Sequence, residues 1–297
     1  MANLLYKIIE RVFEFAKFSN TRVVNKDLGQ FKNEILISNN YRPVFFLSTG
    51  RTGTLLFTKI LNKCKNIKTF HSPSPELIGQ GKYAYEIYAK RELSFDENTN
   101  HLLAQVFITA REEILYKTYL HGFRYIETNN RISFFAPAIK YLIPNAKFVY
   151  VYRHPGEFIR SGIRRNWYSG NHPHDHGRIV PTKISPHFSS WDDYNLIQKI
   201  SWLWDESNNF IEKFLHSISS DDYIKINFNE LNTAVIHNLM CFLNIDLDDS
   251  VIQKLIARPV NIQKKGSFQK YEQWPEDDIK IVKDICGDLS AKYGYNL

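Results

Sequence analysis

Apolar positions along this chain follow two rhythms. Short dense runs rich in β-branched and aromatic residues, Val44–Leu47, Ile67–His71, Phe123–Glu127, Phe148–Tyr152 and Tyr223–Phe228, predict buried strands. Between them the apolar residues recur at helical spacing. This predicts helices over Thr54–Lys63, over 83–120 with a break around Asp96–Asn100, over Phe134–Leu142 stopped near Pro144, and over Gln198–Ile218, with a Pro- and Gly-containing loop over 71–81. The last is the clearest, with Ile200, Leu203, Trp204, Ile211, Phe214, Leu215 and Ile218 on one stripe. Strands alternating with helices of these lengths predict an α/β chain, a three-layer sandwich whose central parallel sheet is covered on both faces. No linker, repeat or low-complexity stretch divides 41–297, so it reads as a single domain. Residues 1–40 read as a lead-in whose segment LLYKIIERVFEFAKF predicts an amphipathic helix packed on that domain, with peripheral membrane contact as the alternative. Charges every few residues keep it from reading as a signal peptide or spanning anchor.

The first strand empties into Ser48-Thr49-Gly50-Arg51-Thr52-Gly53-Thr54, and a helical pattern follows at once. A helix start offers unpaired N–H groups and partial positive charge; this loop adds hydroxyls and a guanidinium around the same point. Such a place suits a phosphate or sulfate. The loop is not a Walker A sequence, because Thr54 follows Gly53 where a lysine belongs. A second anion-binding element lies at 148–168. Arg153 ends a buried strand there, Pro155 and Glu157 suit a helix start, and Ser161 falls about two turns into that helix. A nucleotide hydrolase would tend to place an aspartate for Mg²⁺ at such a strand end, whereas Arg153 attracts another anion. Arg160, Arg164 and Arg165 read equally as extra contacts or as a solvated basic face.

These two elements resemble those of sulfotransferases that use 3′-phosphoadenosine 5′-phosphosulfate (PAPS), in the style of bacterial carbohydrate enzymes. Ser48 to Thr54 looks like the family's 5′-phosphosulfate loop, and Arg153 to Ser161 has the spacing of its 3′-phosphate element. Tyr223 to Leu231 resembles the family's late strand, Met240 to Ile245 its helix end with Asn244 replacing a glycine, and Lys264-Lys265-Gly266-Ser267 its C-terminal nucleotide loop. The resemblance covers about residues 43–275. It implies a P-loop-like sulfotransferase fold and transfer of a sulfuryl group from PAPS to an acceptor hydroxyl, expected on a carbohydrate or glycolipid. It also implies adenosine 3′,5′-bisphosphate as product, no metal, and nucleotide contacts from Ser48, Thr49, Gly50, Arg51, Thr52, Gly53, Thr54, Arg153, Ser161, Lys265, Gly266 and Ser267. Arg51 would stabilise charge on the transferring group. His71, at the end of the second strand, is the favoured general base, since an imidazole near neutrality suits proton removal. Relatives commonly have Glu-Pro in this region and a lysine after the third strand. This chain has His71-Ser72-Pro73 and Glu127-Thr128-Asn129-Asn130, so Glu76 and Glu127 stand as rival bases.

The chain has 297 residues, 43% hydrophobic and 14% aromatic, enough for a sizeable core. A net charge of +7 suits an anionic ligand. Three widely spaced cysteines without zinc or redox spacing fit reduced thiols, and together with the absence of a membrane-anchor pattern they point to the cytoplasm. His172, His174 and His176 alternate beside Asp175 in a long polar stretch; this is not a metal-ligand spacing, and the segment reads better as an acceptor-binding flap. Trp167, Tyr168, His174 and Trp191 could stack on sugar rings. The acceptor expected is a small molecule or glycan rather than nucleic acid. The alternatives are a P-loop-like kinase or NTPase, or a non-catalytic basic module for acidic glycan or nucleic acid.

Overall fold

A computed structural model describes residues 35–37, 41–257 and 268–297. The N-terminal amphipathic segment and the Lys264–Ser267 loop lie outside the described residues. Five strands, β1 (Val44–Leu47), β2 (Ile67–Phe70), β3 (Arg124–Thr128), β4 (Lys147–Tyr152) and β5 (Tyr223–Asn227), form one sheet in the spatial order β2-β3-β1-β4-β5. Every neighbouring pair is parallel; Phe45 stands opposite Glu127 on one side and Phe148 on the other. Nine helices occur among the described residues: α1 (Thr54–Leu61), α2 (Ile78–Ala89), α3 (Glu97–Leu120), α4 (Ala136–Leu142), α5 (Pro155–Ile163), α6 (Leu196–His216), α7 (Thr233–Leu243), α8 (Asp249–Ile256) and α9 (Glu276–Lys292). None is long and apolar enough to cross a membrane.

Strand alternation divides the core in two. Phe45, Leu47, Phe148 and Tyr150 face a layer built from α2 to α6 and α9. Val44, Phe46, Val149 and Val151 face α1, α7 and α8. Both faces are therefore dry, which explains why the strands read as unbroken apolar runs. The chain leaves central β1 first toward β3 and β2 and later returns toward β4 and β5. Its C-terminal edge beside β1 is thus a topological switch point, where such sheets form crevices.

Several boundaries differ from the sequence expectation. The break in the 83–120 segment falls at 90–96. Asp96 does not interrupt a helix but starts one, its carboxylate accepting the Thr99 N–H at 3.0 Å. Helix α2 begins at Ile78, inside a stretch whose glycines suggested a loop. Gly81 is there for packing, because a Cβ on it would stand 2.7 Å from the Arg131 carbonyl oxygen. Helix α6 begins two residues early through a reciprocal cap between Asn195 and Gln198, each 2.9 Å bond satisfying an otherwise free N–H. Asn244 takes the left-handed cap of α7 at φ 52°, the conformation that usually calls for glycine. Helix α9 was not anticipated, although Pro275 followed by Glu276, Asp277 and Asp278 is an acidic helix start.

Candidate active site

The loops leaving the C-terminal ends of all five strands enclose a cavity of about 820 Å³. Thr49, Gly50, Arg51, Gly53 and Thr54 reach it from β1, His71 from β2, Arg131 from β3, Arg153 and Ser161 from β4 and α5, and Phe228 from β5. The two elements that were independent in sequence share this one space. The main-chain carbonyl of Arg51 accepts from Arg153 at 2.9 Å, and Arg51 Nε donates to Ser161 Oγ at 3.2 Å.

The loop after β1 curls because Gly50, Arg51 and Gly53 take left-handed φ values of 86°, 59° and 74°. Gly53 permits a second close approach, since a Cβ there would lie 2.0 Å from the Phe228 ring. Helix α1 starts with no side-chain cap, which leaves its first amides open. Thr52, expected as a nucleotide contact, is fully buried and does not line the cavity, and among the described residues its hydroxyl has no hydrogen-bond partner. Ser48 plays a different part: its hydroxyl accepts the Gly50 N–H at 3.1 Å and braces the turn. Ser161 Oγ accepts from Arg165 at 2.8 Å as well as from Arg51, so its own proton is left for an anion.

Positive charge is crowded here. Seven arginines and Lys270 line the cavity against three glutamates, Glu76, Glu157 and Glu272. Burial, then the proximity of Arg153, lowers the pKa of Arg51; burial, then Arg51 and Arg164, pulls Arg165 down to about 10. Arg153 is partly balanced by Glu157, whose carboxylate takes its Nε at 2.6 Å. Arg160 is not a solvated side chain but fastens the C-terminal segment through the Phe268 and Gln269 carbonyls at 2.9 and 3.0 Å.

His71 lines the cavity and is held by two residues that sequence reasoning missed. Thr58 Oγ1 donates to the Thr54 carbonyl at 2.9 Å, which uses its only proton. The 2.7 Å contact between Thr58 and Thr128 must then be donated by Thr128. Thr128 is left to accept from His71 Nδ1 at 3.0 Å, which fixes the Nδ1–H tautomer and frees Nε2 as a base. Burial lowers the His71 pKa, opposed by hydrogen bonding to the Thr128 backbone and by the Glu76 carboxylate, so the ring is neutral at pH 7. The relay could not be read from sequence, because two threonines 70 residues apart carry no motif.

Of the rival bases, Glu76 is exposed and lines the cavity. Glu127 does not line it. Its fully buried carboxylate takes two 2.9 Å bonds from Arg111, one of 2.7 Å from Tyr125 and one of 3.1 Å from Asn129. With its acceptor positions filled and a guanidinium against it, Glu127 is a structural anion and is set aside as a base.

In the histidine-rich segment, Arg178 bonds His172 Nδ1 at 3.2 Å and Arg131 bonds His174 Nδ1 at 3.0 Å, while His176 faces the Pro173 carbonyl. The three rings do not converge, and no group of metal-ligating side chains occurs among the described residues. Trp167 and His174 line the cavity. Trp191 stacks edge-on against Trp202, and Tyr168 against Trp191, so these two rings belong to the packing instead.

No protein-family model and no curated protein matches the sequence. Solved structures do. A sulfotransferase domain from the curacin biosynthetic pathway aligns over 86% of this chain and 99% of its own, with 16% identity and a TM-score of 0.50. Sulfotransferase STF9 from Mycobacterium avium aligns over 91% and 80% respectively, with 10% identity and a TM-score of 0.52. The chain has the sulfotransferase fold, with its parallel sheet flanked by helices.

Proposed function

We propose that the protein transfers a sulfuryl group from PAPS to a hydroxyl of an acceptor, a carbohydrate or glycolipid. The observation that carries this reading is the meeting of Arg51 and Arg153 in one cavity, linked through the Arg51 carbonyl and through Ser161. Two cups so joined suit a ligand with two anionic ends, and the uncapped start of α1 suits a phosphosulfate. The same cavity is crowded with cations, and the end of β4 carries Arg153 where a Mg²⁺-dependent enzyme would tend to place an aspartate, which disfavours the kinase reading.

In the proposed reaction His71 Nε2 takes the acceptor hydroxyl's proton as the oxygen bonds to sulfur. The bond from sulfur to the bridging phosphate oxygen breaks, and its electron pair leaves with adenosine 3′,5′-bisphosphate. Arg51 and the amides at the start of α1 stabilise charge on the sulfuryl oxygens and the bridging oxygen. Arg153 and the Ser161 hydroxyl hold the 3′-phosphate, while Ser48 and Thr49 shape the turn. Lys265, Gly266 and Ser267 are kept as nucleotide contacts on the resemblance alone. Residues 41–297 act as one catalytic domain in this reading, and the absence of any long apolar helix among the described residues suits a cytoplasmic setting.

Adenosine 3′,5′-bisphosphate is expected to raise the melting temperature strongly, at about 100 times its dissociation constant by the equivalent of about 2.7 kcal/mol, with ATP and AMP far weaker. Arg153→Met should abolish the preference for the 3′-phosphate. Equal shifts with AMP and the bisphosphate would overturn the assignment. Gly53→Ala is expected to remove the nucleotide shift altogether, because the new methyl meets the Phe228 ring and the residue must keep φ 74°. Calorimetric titration showing undiminished binding by that variant would exclude the loop as the phosphosulfate site.

A further inference from the structure

The donor elements leave part of the cavity's charge unexplained. Arg131, His172, His174 and Arg178 line it alongside His71 and Glu76. They form a second group: Glu76 acts electrostatically on His71, Arg131 and His174 alike, whereas the neighbours of Arg51 are Arg153 and Arg165. The group adjoins the anion loop, since the Asn130 side chain lies 3.2 Å from where a Gly50 Cβ would be.

Within it the side chains are differently engaged. Arg178 is nearly buried, bonded to Asp175 at 2.6 Å and stacked over Trp167 at 4.1 Å. Its charge is matched, and it acts as a brace. Arg131 has no such match. It bonds His174 Nδ1, and among the described residues no carboxylate lies within ion-pairing distance of it. Its backbone is clamped on both sides: Asn129 Oδ1 accepts its N–H at 3.0 Å, and Gly81 packs beneath its carbonyl. Burial and the nearby Arg178 lower its pKa to about 10, still fully charged at pH 7. A preorganised guanidinium without an anion, beside a base, is built to receive one.

We propose that the acceptor is itself acidic, carrying a carboxylate or a sulfate ester close to the hydroxyl to be modified, and that Arg131 binds that group. This rests on the sulfuryl-transfer reading and deepens it. The acidic group anchors the acceptor, and the His174 ring, accepting from Arg131 through Nδ1, keeps the guanidinium aimed and leaves its own Nε2–H as a further donor. Glu76 is the counterweight, a carboxylate that repels the incoming anion and limits how tightly it is held.

The test is melting-temperature and calorimetric titration of the full chain already saturated with adenosine 3′,5′-bisphosphate. A galacturonate tetrasaccharide and its methyl ester form one pair of probes, and a sulfated galactan tetrasaccharide and its desulfated form another. An acidic member binding at least about tenfold more tightly than its neutral partner is expected, and the pair that responds identifies the anion. Arg131→Met should remove that difference while keeping the nucleotide shift, and Glu76→Gln should enlarge it. Acidic and neutral probes binding equally, or an Arg131→Met protein that still discriminates, would overturn the proposal. A wild-type protein without a nucleotide shift would instead overturn the donor assignment.

Discussion

Replacing Arg51 by alanine is expected to lower turnover by roughly 10³-fold. Charge that develops on the transferring group has one guanidinium at the centre of the loop to meet it, and losing such a group typically costs two to five powers of ten. Arg51→Lys should recover only part, since an ammonium cannot reproduce the fork that reaches Ser161. Stability should move the other way. Arg51 is half-buried beside Arg153 and Arg165, and Arg153 depresses the ionisation of Arg51 as Arg51 depresses that of Arg165. Removing one cation from that crowd relieves repulsion, so the ligand-free alanine variant should melt at the same temperature or higher. Single-turnover kinetics and calorimetry on the same preparation separate the two effects. A variant that keeps its turnover, or one that is inactive only because it melts early, would refute the role given to Arg51. A centre that is destabilising until its anion arrives is the usual signature of a site shaped by function.

The same crowding explains how much of this centre could be read from the chain. Strands and anion loop were legible because their signals are local: a dry parallel strand must be apolar throughout, and a left-handed turn with an open helix start needs small residues at fixed spacing. Arg153 was legible because a charge ending a buried strand has few structural explanations. What stayed hidden depends on partners far away in sequence. Glu127 ends a strand as a base might, and only the fold shows Arg111 from α3 closing on it with two hydrogen bonds. Arg160 read equally as an extra contact or as a surface charge, and only the fold sets the carbonyls of Phe268 and Gln269 against it. Gly81 helped suggest a loop because a sequence shows a missing side chain but not the Arg131 carbonyl that needs the space. Arg131 follows β3 with no motif around it, and its importance comes from the absence, among the described residues, of a carboxylate within ion-pairing distance, which no sequence displays.

His71 and Thr128 give the second large effect, and they also test the hydrogen-bond relay. His71→Ala is expected to reduce kcat by about 10²–10⁴-fold, the usual worth of a positioned base, with little change in affinity for adenosine 3′,5′-bisphosphate. In the wild type, activity should be level around neutrality and fall on the acid side below pH 6.5. The His71 pKa is lowered by burial, so Nε2 becomes protonated, and useless as a base, only under more acidic conditions. Thr128→Val removes the hydroxyl that accepts from Nδ1–H but keeps the Thr128 backbone, whose hydrogen bond is the one that raises the His71 pKa. It should therefore cut kcat with the acid limb little moved, while Thr128→Ser, which keeps the hydroxyl, restores turnover. A structural role for Thr128 would change stability without lowering kcat in the folded protein. If the folded valine variant keeps the wild-type kcat, the hydroxyl does not set the tautomer; if His71→Ala retains full activity, proton removal passes to Glu76, the rival base that lines the cavity. The fixed tautomer is what makes the outcome decisive. The Thr54 carbonyl takes the Thr58 proton, Thr58 takes that of Thr128, and Thr128 takes that of Nδ1, so the helix that opens the anion loop also sets the free lone pair of the base.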